Sequence, residues 1–357
     1  MDTRIGAFDE WLRDGGPPAL AIREYMVPVE GEDGVLFPAT FAASEDKTFK
    51  GGYNIDDLGN GRNVCLVDSV GSQANRIEPI FALDEYKALV PQIVVKAGLR
   101  RVNLLEAGHR AGDAIVRCSI LQEKIQQAFK AALRGDVLAL AKIAPTSLVF
   151  GVWDSRDTQA KLPRLIASTI RAFDVQRLTR SAQYVPATEY VADGLLDESA
   201  EKKVTDAYAA KGFIHVPASG SPGGVIAKLI RRDATLHLAA LRLLGAGNDK
   251  EQTLALRRYV LGLALTALTH APSGYLRQGC NLVLNPDRQR EFKLVYNDGK
   301  REDSKLAHEA ALAFARLAAA AFGVGESQEV EFDRERAKTD VSEAADKKSK
   351  TAKVKKA

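Results

Sequence analysis

The chain has 357 residues, 46% hydrophobic and 27% charged, with a net charge of +4. That length is slightly beyond the ~250–300 residues at which a single core usually stops growing, so one elaborated domain, or one with a sizeable insertion, is expected. Nine basic and four acidic residues from Arg334 onward supply +5 of the charge, which leaves residues 1–333 at −1 and excludes any argument for a polyanionic partner from bulk charge alone.

The opening stretch MDTRIGAFDEWLRDGG carries acidic residues and no apolar core segment, so it does not read as a secretory signal. Val64–Val67 is the first clear strand. The polar segment LVDSVGSQANRIE, Leu66 to Glu78, then turns into a helix, with Ser72 expected as N-cap and Gln73, Asn75 and Arg76 in the first turn. Free backbone N–H groups and the helix dipole attract anions there, and Pro79 limits or kinks the turn. From these residues alone, a capped helix with a surface arginine and a phosphate site are equally supported.

Leu121, Ile125, Phe129 and Leu133 repeat every four residues and predict a helix over 121–134 that Gly135 ends. Strands are predicted at Thr146–Trp153, Ile170–Val175 and Phe213–Val216, with Phe150 and Trp153 in the core. Helices are predicted at about Ser199–Lys211, stopped by Gly212, at Val225–Leu244 and at Lys250–Leu268. The longest run without Asp, Glu, Lys or Arg, Tyr259 to Leu276, is interrupted by Thr, His, Pro and Ser, so it reads as a buried helix ending near Pro272 and no membrane span is expected. Asn281–Leu284 and Phe292–Tyr296 read as an antiparallel hairpin around the turn residues Asn285–Gln289. Ser304 is the expected N-cap of a last helix reaching Gly323. This interleaving without strict βα alternation predicts an α+β fold. The segment 334–357 has almost no large apolar residue and is expected to be a disordered lysine-rich tail.

Chemistry-bearing motifs are sparse. No Walker-type, dinucleotide, zincin or nucleophile-elbow signature occurs, and Cys65, Cys118 and Cys280 are far apart, with neither zinc spacing nor a disulfide framework, as in a reducing cytoplasm. The loop Ser219–Gly224, placed before the predicted helix, is a weak phosphate-loop candidate and equally a plain flexible loop. His215 and His237 read as core histidines. Only His109, in the polar Gly108–Asp113 segment, is a candidate acid or base. Two basic clusters stand out, one at Lys96, Arg100, Arg101, His109, Arg110 and Arg117, the other running from Arg156 to Arg180. One such cluster is usually a solvated face, whereas two on a nearly neutral body point to a directed basic surface.

LVDSVGSQANRIE, LLEAGHRAGDAIVRCS (Leu104–Ser119) and APTSLVFGVWDSRDTQAKLPRLIASTIRAFDVQRLTRSAQY (Ala144–Tyr184) together resemble the RAMP subunit of type I-G CRISPR systems, formerly I-U, a member of the Cas-seven family that forms the backbone of type I Cascade. The resemblance runs from about Pro38 through 225–244 and more loosely to Phe322. It implies a modified RRM or ferredoxin-like palm over 1–333, with an antiparallel sheet, a helical insertion at about 84–143 and a protruding thumb at about 186–224. It also implies a non-catalytic subunit without cofactor or metal that stacks head to tail with copies of itself along a CRISPR RNA (crRNA). Such a subunit presents the spacer to a target DNA strand and meets the large subunit, a Cas-five or Cas-six-like subunit and the helicase-nuclease effector.

Ser72, Gln73 and Arg76 look like the counterpart of a Ser-Ser-Gln-type phosphate contact in related backbone proteins. Asn75 joins them, with His109, Arg110 and Arg117 as second candidates and Arg171, Arg177, Arg180, Gln183 and Tyr184 along the same expected groove. A protein that accepts any spacer must grip phosphate and ribose rather than read bases, and the sparse aromatics, 7%, disfavour a base-stacking platform. The rival readings are a RAMP-type ribonuclease acting through His109 or a metal on Asp113 or Asp154, and a helical scaffold that binds no nucleic acid.

Overall fold

The computed structural model describes residues 4–218, 222–271 and 273–342. Their architecture is α+β, built on a large antiparallel sheet consistent with the RRM or ferredoxin-like palm. In spatial order the sheet runs Ile55–Gly59, Arg62–Asp68, Ile166–Arg177, Val225–His237 and Ala19–Pro28. Along the far edge of Ala19–Pro28 lie Cys280–Leu284 and Glu291–Val295, one after the other.

The last arrangement corrects the expected hairpin. Both segments pair with Ala19–Pro28 and neither pairs with the other, while Glu291–Val295 makes its own hairpin with Arg301–Asp303. A turn sequence marks a reversal, but it does not choose the strand's partner.

A larger correction concerns 225–244, where a 13-residue strand, Val225–His237, replaces most of the predicted helix and only Leu238–Leu241 is helical. Its inward positions are Ile230, Arg232, Ala234 and Leu236. Arg232 among them breaks the apolar alternation by which a half-buried strand is recognised. Ala19–Pro28 hides in the same way, because Glu24 sits in its inward row between Ile22 and Met26. Conversely, Thr146–Phe150 is a short helix, wholly buried, that Gly151 (φ +79°) ends before the two-residue strand Val152–Trp153. A short run buried on every side carries no period from which helix and strand can be told apart.

Smaller departures follow local chemistry. Ser69, not Ser72, caps the helix Val70–Ile77, accepting the Ser72 N–H at 3.3 Å. Pro79 then sits in the first turn of the 3₁₀ segment Glu78–Ala82. The helix predicted behind Ser304, His308–Phe322, begins four residues after it, behind Ala307 and without a side-chain cap. The predicted strand Phe213–Val216 is not extended at 213–215; the strand starts at Val216 and runs Val216–Ala218, paired with Ala182–Tyr184. The region 84–143 is not purely helical, since it contains the hairpin Ile93–Ala97 with Arg100–Asn103, extended by Gln328–Glu331 in parallel. Trp153 is 56% exposed rather than core, and His215 and His237 are exposed, His215 pairing with Glu189 at 2.7 Å.

The segment 334–342 is helical, with Asp333 accepting the Arg336 N–H at 2.9 Å, so the expected tail does not begin at 334; residues 343–357 lie outside the described ones. Of the Ser219–Gly224 loop only Pro222–Gly224 is described, and a strand follows it instead of a helix.

The main core lies between the sheet and the helices Lys250–Thr269 and His308–Phe322. The second half of Lys250–Thr269 is buried on all sides, as its apolar run predicts, and no described helix is long and apolar enough to cross a membrane. These two helices pack closely at Gly262, where a Cβ would stand 2.7 Å from the Ala315 Cα. Alanine ordinarily favours a helix interior over glycine by about 1 kcal/mol, yet Gly262→Ala is expected to lose about 1–3 kcal/mol by pushing the helices apart. A denaturant midpoint at or above that of the parent would show that the contact is not tight.

Candidate nucleic-acid interface

The site is assembled where the strand Arg62–Asp68 hands over to the helix Val70–Ile77. Asp68 ends the strand pointing inward, with its side chain fully buried. One carboxylate oxygen accepts from Gln73 Nε2 at 2.6 Å and from Arg76 Nε at 3.2 Å, and the other from Arg277 Nη2 at 2.8 Å. A buried carboxylate is tolerable only when charge and hydrogen bonds compensate it, and here three donors do so.

The network continues beneath the sheet. Gln73 Oε1 accepts from Ser168 Oγ at 3.0 Å, and Ser168 Oγ accepts from Arg232 Nε at 3.0 Å. Arg232 Nη1 donates to Glu24 at 2.6 Å, and Arg290 pairs with the other oxygen of Glu24, also at 2.6 Å. Two buried carboxylates are thus shared by four guanidiniums, Arg76, Arg277, Arg232 and Arg290, with a formal balance of +2. Arg76, Arg277 and Arg290 keep between a quarter and about a third of their side chains exposed, so the excess positive charge faces outward.

Above this network is a cleft of about 530 Å³. Gln73, Asn75 and Arg76 form one wall, His270 and Ser273 to Tyr275 the other, and Met26, Ile170 and Arg232 contribute from the sheet. Arg76 and Arg232 are the cations of its lining, each paired with a buried carboxylate, and Ile77, Pro79, Ile80, Leu83, Ala267 and Leu276 make much of the rest apolar.

His270 belongs to a second cluster that sequence spacing did not reveal. Tyr86 Oη lies 3.2 Å from His270 Nδ1 and 2.9 Å from His308 Nε2, and His308 Nδ1 lies 2.9 Å from Thr269 Oγ1. Burial, and then the neighbouring His308, lowers the pKa of His270, which the Glu85 carboxylate opposes only in part. Low-pKa imidazole is neutral imidazole at physiological pH.

The other face of the sheet carries a separate group. Tyr25, Arg231 and Arg171 are cross-strand neighbours on three adjacent strands. Arg231 stacks over Phe173 at 4.8 Å, and Arg288 over Tyr25 at 4.9 Å. Arg171 hydrogen-bonds Thr169 Oγ1 at 2.6 Å.

The residues singled out in the sequence therefore do not share one groove. Gln73, Asn75 and Arg76 meet at the cleft, although Gln73 is 5% exposed and spends both ends of its amide on Asp68 and Ser168. Ser72 is half-buried and gives its N–H to the cap. Arg110 is 3% exposed and pairs with buried Glu78 at 2.6 Å, while also donating to Asn75 Oδ1 and to the Gly151 carbonyl. Arg117 faces Asp340 at 3.1 Å. His109 is exposed and lies outside the cleft lining. Arg171 occupies the opposite sheet face, and Arg177, Arg180 and Gln183 are exposed beyond it. Tyr184 is exposed and donates its hydroxyl to the Gly212 carbonyl at 3.2 Å.

Reading the sequence missed Asp68, Glu24, Arg232, Arg277 and Arg290. The signal available was an ionisable residue inside an otherwise apolar strand, as in AIREYMV and LIRRDATL. Among the described residues no group of three His, Cys, Asp or Glu is placed to hold a metal ion.

Residues 20–177 match the family described as CRISPR-associated protein GSU0053, a span that takes in Gln73, Asn75, Arg76 and the strand Ile166–Arg177 and covers somewhat under half of the chain. No curated protein matches the sequence.

Proposed function

We propose that the chain is a crRNA-binding backbone subunit of a type I-G CRISPR effector complex, which holds the RNA by its backbone and presents the spacer to a complementary DNA strand. The observation that carries this reading is the +2 balance of the arginine network next to a cleft; of its members Glu24, Asp68 and Arg76 lie within the span similar to CRISPR-associated proteins, and Arg232, Arg277 and Arg290 lie beyond it. Such a site attracts phosphate without selecting a base, as a subunit indifferent to spacer sequence requires. Stacked copies would repeat each moderate contact along one RNA. The helix Lys202–Lys211 has no buried residue, and its excursion between Arg177 and Val225 fits a thumb reaching a neighbouring copy. The large subunit, a Cas-five or Cas-six-like subunit and the helicase-nuclease effector are the further partners this reading names.

Co-expression with a CRISPR array, purification at moderate salt and sequencing of the bound RNA tests the proposal. Discrete spacer-containing RNAs are expected, intact after incubation with or without magnesium. Protein free of RNA would sink the reading, and RNA cut into new fragments would replace holding by hydrolysis.

A further inference from the structure

The hydrogens of the Tyr86 cluster can be assigned by following its donors. Thr269 gives its single hydroxyl hydrogen to the Leu265 carbonyl at 2.8 Å, the ordinary back-bond of a helical threonine. Its oxygen must then accept from His308, so His308 carries hydrogen on Nδ1. In neutral His308 the other nitrogen, Nε2, is a bare lone pair, and the Tyr86 hydroxyl gives its hydrogen either to it, at 2.9 Å, or to the Glu85 carboxylate. Tyr86 has now spent its hydrogen, so its oxygen accepts from His270 Nδ1 at 3.2 Å. His270 is left with an unprotonated Nε2, which has no partner among the described residues, on a residue that lines the cleft.

An acceptor fixed in this way discriminates more sharply than a hydroxyl or an amide, which can turn to suit either kind of partner. Resting on the RNA-binding reading above, we propose that His270 Nε2 accepts a hydrogen bond from a ribose 2′-hydroxyl of RNA held in the cleft, and so makes the site prefer RNA to DNA. The backbone phosphates of the two polymers are alike, so the arginine network cannot separate them. The 2′-hydroxyl can, and a deoxyribose would leave the imidazole acceptor unpaired. The lowered pKa of His270 supports the role, because the lone pair persists at neutral pH.

The test compares binding of single-stranded RNA and DNA oligonucleotides of one sequence to the full chain, for the parent, His270→Phe, His270→Gln and Tyr86→Phe. The parent should favour RNA, and His270→Phe should lower the RNA-to-DNA affinity ratio about three- to tenfold, the range of one hydrogen bond. His270→Gln restores an acceptor and should recover part of that ratio. Tyr86→Phe removes one oxygen atom, frees the His270 tautomer and should lower the ratio without touching the cleft surface. RNA binding with an unchanged ratio in both His270→Phe and Tyr86→Phe would overturn the role of His270 and leave the RNA-binding reading intact. A parent that binds neither polymer would remove both.

Discussion

Replacing Arg110 by methionine is expected to cost about 3–5 kcal/mol of folding stability at about pH 8, and much less at about pH 5.5. Glu78 and Arg110 are 1% and 3% exposed, 2.6 Å apart, and tie the 3₁₀ turn Glu78–Ala82 to the 3₁₀ turn Arg110–Gly112. Burial raises the Glu78 carboxyl from its ordinary range to about 7, and Arg110 with Thr146 only partly reverses this. Burial likewise lowers the pKa of Arg110. Both shifts run toward the neutral form, so desolvation outweighs the attraction of the pair.

The sign follows from proton linkage. With a folded pKa above the unfolded one, Glu78 binds its proton more tightly in the native state, so its contribution to stability falls as pH rises from about 4.5 through about 7. Without Arg110 nothing offsets the buried charge, and the folded pKa climbs further. The loss should therefore grow with pH, because acid protonates Glu78 and removes the need for a partner. Glu78→Gln, which deletes the charge and keeps the shape, should cost less than Arg110→Met at about pH 8. Chemical denaturation of the three proteins at both pH values reads this directly, and a pH-independent Arg110→Met penalty would refute it.

The pair also shows where sequence reading stops. Arg110 stood in a glycine-flanked polar segment and read as a surface cation, because nothing local announces that Glu78, 32 positions earlier, is buried opposite it. Elements with a clean local period were legible. Gln122–Ala132, Lys202–Lys211 and Lys250–Thr269 fall within one to three residues of expectation, and both glycine stops, Gly135 and Gly212, have positive φ. Ile170–Val175 was legible as the centre of the strand Ile166–Arg177, but Ala19–Pro28 and Val225–His237 were not, since Glu24 and Arg232 in their inward rows make sense only when they lie beside Ser168. The segment Val70–Ile77 was legible as an anion-attracting helix start, but the division of labour inside it depends on Arg277 and Ser168, which arrive from far along the chain.

That division sets the second large expectation. Gln73 and Arg76 are neighbours on one helical turn and both donate to Asp68 Oδ2, yet they should fail in opposite assays. Gln73→Ala removes a 2.6 Å donor from a fully buried carboxylate and strands the Ser168 hydroxyl, so a loss of about 1–3 kcal/mol or more is expected. RNA affinity of the folded variant should change little, because the buried Gln73 amide has both ends occupied. Arg76→Ala also takes a donor from the fully buried Asp68 carboxylate, but Gln73 and Arg277 still hold it and Arg76 itself is about a third exposed, so a loss of about 1–3 kcal/mol or less is expected. Its RNA affinity should fall, and the slope of log affinity against log salt should drop by about one unit for each copy bound. The control is Asp68→Asn, which keeps the shape but turns one accepting oxygen into an NH2 group facing a donor and removes the negative charge that the three donors share. It should destabilise the fold more than either helix variant, while making the cleft more positive. Denaturant midpoints and RNA-binding salt titrations on the three variants separate brace from contact, and a Gln73→Ala protein of parental stability that has lost RNA would reverse the two roles.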